Sequence, residues 1–160
     1  MSKPANPATP CAAVDVPEIT KSAYPAPFAD VVAGRSKRKL GDAFGLSNFG
    51  VNYTTLPPGK ASALFHHHAK QDEFVMVLQG EAVVRVGDQE HRMQAGDCIG
   101  FAAGTGVGHQ ILNRSNAPLV YLEVGDRTAG DQVQYPEDDL QAIQQPDNSW
   151  LFLHKNGEGW

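Results

Sequence analysis

The sequence predicts an all-β fold, a closed barrel of short antiparallel strands. Two observations carry this: turn chemistry recurs every few residues, and the apolar runs between turns are only strand-length. Glycine and proline account for 16 and 11 of the 160 residues. From Phe44 onward the strand-length segments are 51–56, 63–68, 73–79, 81–86, 90–93, 98–101, 109–113 and 119–124. Between them stand Pro57-Pro58-Gly59, Gly80, Gly87-Asp88, Ala95-Gly96-Asp97, a glycine-rich stretch at 104–108, and Asn116-Ala117-Pro118. Hairpins joined this way leave open edges, which closure into a barrel removes.

A chain of this length fits one domain. Residues 1–27 read as an extended arm, because six of the 11 prolines fall there and interrupt both helices and ladders. Residues 28–127 form the barrel. Residues 128–160 read as a short helix followed by an apolar tail. The helix is expected at 137–144, where Glu137, Asp138 and Asp139 follow Pro136 in the manner of a first helical turn. Trp150, Leu151, Phe152, Leu153 and Trp160 are too apolar for water and are expected to cover a sheet or a second subunit.

Composition excludes several functions. The formal net charge is -5, and the single basic run, Arg35 to Lys39, reads as a solvated turn, so nucleic acid is not an expected partner. No apolar run approaches the length of a membrane span, and none of signal-peptide type follows Lys3. The expected address is cytoplasmic, with no membrane partner. Cys11 and Cys98 make no disulfide framework, and Cys98 reads as a small buried hydrophobe.

The chemistry gathers at Leu64 to Glu73, which contains three consecutive histidines. In a strand His66 and His68 share one face while His67 points to the other; a slip of one residue would exchange them. Glu73 opens the next strand and returns a carboxylate beside the two rings. His109, after the glycine-rich stretch, offers a third imidazole. Three nitrogens and one carboxylate suit a divalent ion, with Zn, Fe, Mn, Ni and Co all open, and leave two positions on an octahedral ion. The lack of thiolates argues against a closed structural zinc site. Tyr53, Phe65 and Phe101 are the expected pocket walls.

These residues carry a resemblance. Gly59, His66, His68, Glu73 and Gly80 resemble the first motif of the cupin superfamily, and Gly96, Gly104, His109 and Asn113 its second. The spacing His-x-His-x4-Glu-x6-Gly is met. Six residues rather than five separate Gly59 from His66, Ala102 stands where proline is usual, and His109 comes two residues late, an offset the 104–108 loop absorbs. The resemblance implies a double-stranded β-helix, or jelly roll, with one metal ion on His66, His68, Glu73 and His109, and a homodimer. The stretches 24–52 and 121–140 resemble small bacterial single-domain cupins, some labelled sugar-phosphate isomerase-like. Three functions follow as expectations: a metal-dependent isomerase or lyase on a small oxygenated metabolite, an Fe(II)-dependent dioxygenase, or a non-catalytic cupin that binds or senses a small molecule.

Overall fold

A computed structural model describes residues 9–160. Residues 1–8 of the arm, with Pro4 and Pro7, lie outside the described residues. The strands are β1 (Glu18–Ile19), β2 (Ser36–Lys39), β3 (Phe49–Leu56), β4 (His67–His68), β5 (Glu73–Gln79), β6 (Glu81–Val86), β7 (Gln89–Gln94), β8 (Cys98–Phe101), β9 (His109–Leu112), β10 (Leu119–Asp126), β11 (Gln132–Tyr135), β12 (Leu140–Gln144) and β13 (Trp150–Leu153). One four-residue helix, Leu40–Ala43, links β2 to β3.

The strands form a six-stranded sheet in the order β1-β2-β3-β10-β5-β8, a four-stranded sheet β13-β12-β11-β4 and a three-stranded sheet β7-β6-β9, all of their pairs antiparallel. Alternation sets what each strand buries. Val75 and Val77 face inward on β5 while Phe74, Met76 and Leu78 face out; Ala82 and Val84 do the same on β6. The main core therefore lies between the six- and three-stranded sheets, with Leu56, Val77, Val84, Ile111, Leu119 and Tyr121 at its centre. A second core joins Leu64, Val133, Tyr135, Leu140 and Ala142, and Tyr24 and Phe28 from the N-terminal segment pack on it.

Three expectations are corrected. Residues 137–144 are not helical: Pro136 to Asp139 form a turn, closed by Asp138 N–H donating to Tyr135 O at 3.1 Å, and β12 follows. Acids behind a proline suit a hairpin turn as well as a helix, and the burial of Leu140 and Ala142, two residues apart, decides for the strand. The run at Arg35 to Lys39 is no solvated turn, since most of it is β2, whose alternation turns Lys37 and Lys39 into the barrel. Cys98 is exposed, on the outer side of β8 opposite Met76.

The apolar tail is covered in part within its own chain, with Leu151 and Trp160 still exposed. Trp150 and Phe152 pack on the second core, and Trp160 meets Phe28 edge to face at 5.0 Å and stacks on His154 at 4.0 Å. Among the described residues no helix is long and apolar enough to cross a membrane.

Candidate metal centre

Local structure brings the histidines together. Leu64 and Phe65 lie in a bend rather than in the strand expected at 63–68, and His66 makes a two-bond bridge with His109: His66 N–H donates to His109 O at 3.1 Å, and His109 N–H to His66 O at 2.8 Å. The bridge places the two rings 4.5 Å apart. His68, two residues on, shares the face of His66, and the two rings lie 5.2 Å apart. His67 is not among the residues lining the cavity. Glu73, the first residue of β5, projects to the same point.

One atom is the focus. Glu73 Oε2 lies 2.8 Å from His109 Nε2, 3.4 Å from His68 Nε2 and 3.5 Å from His66 Nε2. Donor atoms of His66, His68 and Glu73 all fall within 4.8 Å of one another, a grouping able to hold a metal ion. Yet Oε2 is buried and makes no aligned hydrogen bond, not even along the short contact with His109. A buried anionic oxygen without a donor is costly. A cation between the three nitrogens and the carboxylate removes that cost, so the residues present fit a divalent ion.

The outer ring nitrogens fix the lone pairs. His66 Nδ1 lies 2.7 Å from Leu64 O, and His68 Nδ1 lies 2.5 Å from Asp131 Oδ2. A carbonyl and a carboxylate only accept, so both Nδ1 atoms carry the proton and both Nε2 atoms present lone pairs to the centre. Asp131 is fully buried and is itself fixed by Lys70 N–H donating to Oδ1 at 2.8 Å. His109 is held differently: its ring stacks on Phe101, 3.7 Å away and within 4° of parallel, and its Nδ1 has no partner.

Electrostatics favours the metal-binding protonation states. Burial alone would push the Glu73 carboxyl up, but the His109, His66 and His68 imidazoles around it hold it well below the usual carboxylate range. Burial lowers His109, against the pull of Glu73. An anionic Glu73 beside a neutral His109 is what a ligand set requires.

The centre opens into a cavity of about 590 Å³. Phe101 lines it; Tyr53 and Phe65 do not. Tyr53 lies on β3, one residue out of step with the inward positions Asn52 and Thr54, and Phe65 is buried beneath the Arg85 guanidinium, 4.4 Å from its ring centre. The cavity instead receives Arg35, Lys37, Lys39, Glu123 and Arg127. The alternating cations of the 35–39 run were the sequence signal for three of these. Asp131 and Glu123 gave none, since each becomes meaningful only through a strand pairing far along the chain.

A barrel of antiparallel strands with an inward cluster of imidazoles and one carboxylate defines a jelly roll able to hold a metal ion in its interior. The chain belongs to the cupin superfamily. Residues 52–125 match the family model described as Cupin domain. A cupin-superfamily sugar phosphate isomerase from Silicibacter pomeroyi is 39% identical, with 95% of this chain and 96% of that one aligned and a TM-score of 0.89. A protein from Acidithiobacillus ferrooxidans named as a candidate sugar phosphate isomerase is 30% identical over 76% of this chain and 77% of its own, with a TM-score of 0.70. A predicted oxalate decarboxylase from Thermotoga maritima is 26% identical over 57% of this chain and 79% of that one, with a TM-score of 0.51. No curated protein matches the chain.

Proposed function

We propose that the chain is a metal-dependent isomerase of a small metabolite that carries hydroxyl and carbonyl groups, of the sugar-phosphate isomerase-like kind. The observation that carries this reading is the buried Glu73 Oε2, unpaired and faced by three imidazole nitrogens, at the wall of a cavity large enough for such a molecule. The sugar phosphate isomerase from Silicibacter pomeroyi, similar along nearly the whole chain, supports the same substrate class.

His66, His68, Glu73 and His109 would hold one divalent ion, which supplies Lewis-acid polarisation of a substrate oxygen. The remaining residues bind and orient. Lys39 and Arg127 reach the cavity beside Asp42, at 3.9 Å and 2.5 Å, and offer positive charge to an anionic end of the substrate. Tyr24 and Tyr135, whose hydroxyls burial pushes up, stay protonated; Tyr135 donates to Tyr24, which leaves the Tyr24 hydroxyl to donate to a substrate oxygen. Trp150 and Phe152 close the apolar side.

The test is elemental mass spectrometry on protein purified without chelator, beside His66→Ala and His109→Ala, followed by a panel of aldoses, ketoses and their phosphate esters. The expected result is near one ion per chain, lost in both variants, and interconversion of at least one pair. Wild-type protein that takes up no ion, even after reconstitution, overturns the reading.

A further inference from the structure

Glu123 lies inside the barrel beside the histidine cluster but is no part of it. In the six-stranded sheet the inward positions run in rows: Lys39, Asn52, Glu123 and Val75 make one row, and Gly50, Gly125 and Glu73 the next. Glu123 is thus the diagonal neighbour of Glu73 on the adjoining strand, a relation that sets Cα atoms about 7–8 Å apart.

The two oxygens of Glu123 are used differently. Oε1 accepts from Lys37 Nζ and, at 2.9 Å, from Asn52 Nδ2. No described residue donates to Oε2, and the side chain lines the cavity. An ammonium and an amide therefore pin the carboxylate by one oxygen and leave the other without a donor, on a side chain that lines the cavity. Glu73 cannot play that part, because its Oε2 is turned to the imidazoles.

Gly125 supplies the space. It stands directly opposite Glu73, lines the same cavity, and a side-chain carbon built on it would meet no atom within 4 Å. Open space thus lies over Gly125, on the same inward face as the ligand carboxylate opposite it and Glu123 two residues before it.

We propose that Glu123 is the proton carrier of the site and that the space at Gly125 holds the reacting carbons of an α-hydroxycarbonyl substrate. This rests on the isomerase reading above and assigns the group that reading leaves open. Glu123 Oε2 takes the proton from the hydroxyl-bearing carbon next to the carbonyl. The C–H electron pair becomes the carbon–carbon double bond of an enediolate, and the carbonyl π pair moves onto its oxygen. The carboxylic acid then returns the proton to the former carbonyl carbon, while the hydroxyl proton passes from one oxygen to the other. The carbonyl has moved one carbon along, Glu123 is again a carboxylate, and no oxidant or reductant is consumed.

The experiment uses full-length, metal-bearing protein and a panel of aldoses and aldose phosphates deuterated at the carbon beside the carbonyl, with loss of label from that carbon, to water or to its neighbour, read by NMR. Glycolohydroxamate, a small mimic of an enediolate, is titrated by calorimetry as a binding probe that needs no turnover. Metal content and melting temperature are measured for every variant. Glu123→Gln is expected to slow label loss by about 100-fold or more, as removal of a general base does, chiefly in kcat, while metal content and hydroxamate affinity stay near wild type. Glu123→Asp is expected to restore part of the rate. Gly125→Val is expected to keep the metal and weaken the hydroxamate by about 10-fold or more, because its methyls fill the ligand's space. Undiminished label loss in Glu123→Gln overturns the proposal and leaves the isomerase reading standing. Undiminished hydroxamate binding in Gly125→Val overturns the assignment of the space. Wild-type protein that binds metal but removes no label from that carbon in any member of the panel overturns the isomerase reading and the proposal together.

Discussion

Asp131 holds His68 by a hydrogen bond from Nδ1 to Oδ2, 2.5 Å long, between residues 63 positions apart in sequence. The pairing of β11 with β4 makes the contact possible, for Val133 lies opposite His68. The carboxylate fixes the tautomer and the ring plane, so that Nε2 presents its lone pair to the centre. Asp131→Asn replaces the anion with a neutral group, one face of which donates rather than accepts. The expected result is a loss of about 10–100-fold in metal affinity, measured by competition with a chelating dye, with the fold retained. Unchanged affinity would show that His68 is oriented by packing alone.

Metal-free protein should lose stability on acidification in two stages. Burial holds His109 below the ordinary imidazole value of 6.5, so its neutral form contributes stability that is complete above 6.5 and lost as pH falls through its lower folded value. Glu73 is held well below the ordinary carboxylate value of 4.5 against the effect of burial, so its contribution is complete above 4.5 and lost further into acid. Urea titrations of chelator-treated protein from pH 8 to pH 4 are expected to show a midpoint that begins to fall below about pH 6.5. In His109→Gln the first stage should shrink to what His67 contributes, since burial and the flanking His66 and His68 hold that imidazole low as well. A flat midpoint down to pH 5 would contradict the buried, neutral His109.

Gly108 touches the ring that underlies the site. A side-chain carbon at position 108 would fall 2.4 Å from Phe65 Cε1, and the Phe65 ring is itself buried and covered by the Arg85 guanidinium. The ring cannot give way cheaply, so Gly108→Ala must displace the backbone leading into His109. The expected outcome is a destabilisation of about 1–3 kcal/mol, the usual cost of overpacking, together with weaker metal binding. Phe65→Leu should relieve both effects when combined with Gly108→Ala, as a thermal melt and a metal titration of the double variant would show. No recovery in the double variant would place the effect elsewhere.

Much of the barrel was legible because its strands alternate. The segments 73–79, 81–86 and 98–101 coincide with β5, β6 and β8, where turn residues bracket a clean period of two. The grouping of His66, His68 and Glu73 followed from the same period and one turn, whereas the bridge that brings His109 to His66 joins residues 43 apart and has no signal in that period. Elements outside the barrel's repeat were hidden. β2 is four residues of Ser, Lys and Arg, whose charges hide a strand that faces a wet cavity rather than a dry core. β11 carries Gln132 and Gln134 and β12 carries Gln141 and Gln144, so their buried apolar face is only Val133, Tyr135, Leu140 and Ala142. Glu123 sat in a run otherwise read as core strand, and only its pairing with Asn52 and Val75 showed that it points into the barrel.

The second core is the last place where the strand assignment bears weight, and Leu140 tests it. Leu140 is fully buried, pairs with Tyr135 across the hairpin, and packs with Leu64 and Val133 beneath the histidine segment. Leu140→Ala is expected to cost about 2–5 kcal/mol in urea unfolding, the range for removing a buried leucine side chain. Arg114→Ala, which breaks an exposed pair with Glu90, should leave the midpoint nearly unchanged because solvent screens that pair. Since Leu64 leads directly to His66, whose ring it anchors through its carbonyl, Leu140→Ala should also loosen the metal. A stability loss without any change in metal affinity would show that the histidine segment is held by the bridge to His109 and not by the core below it.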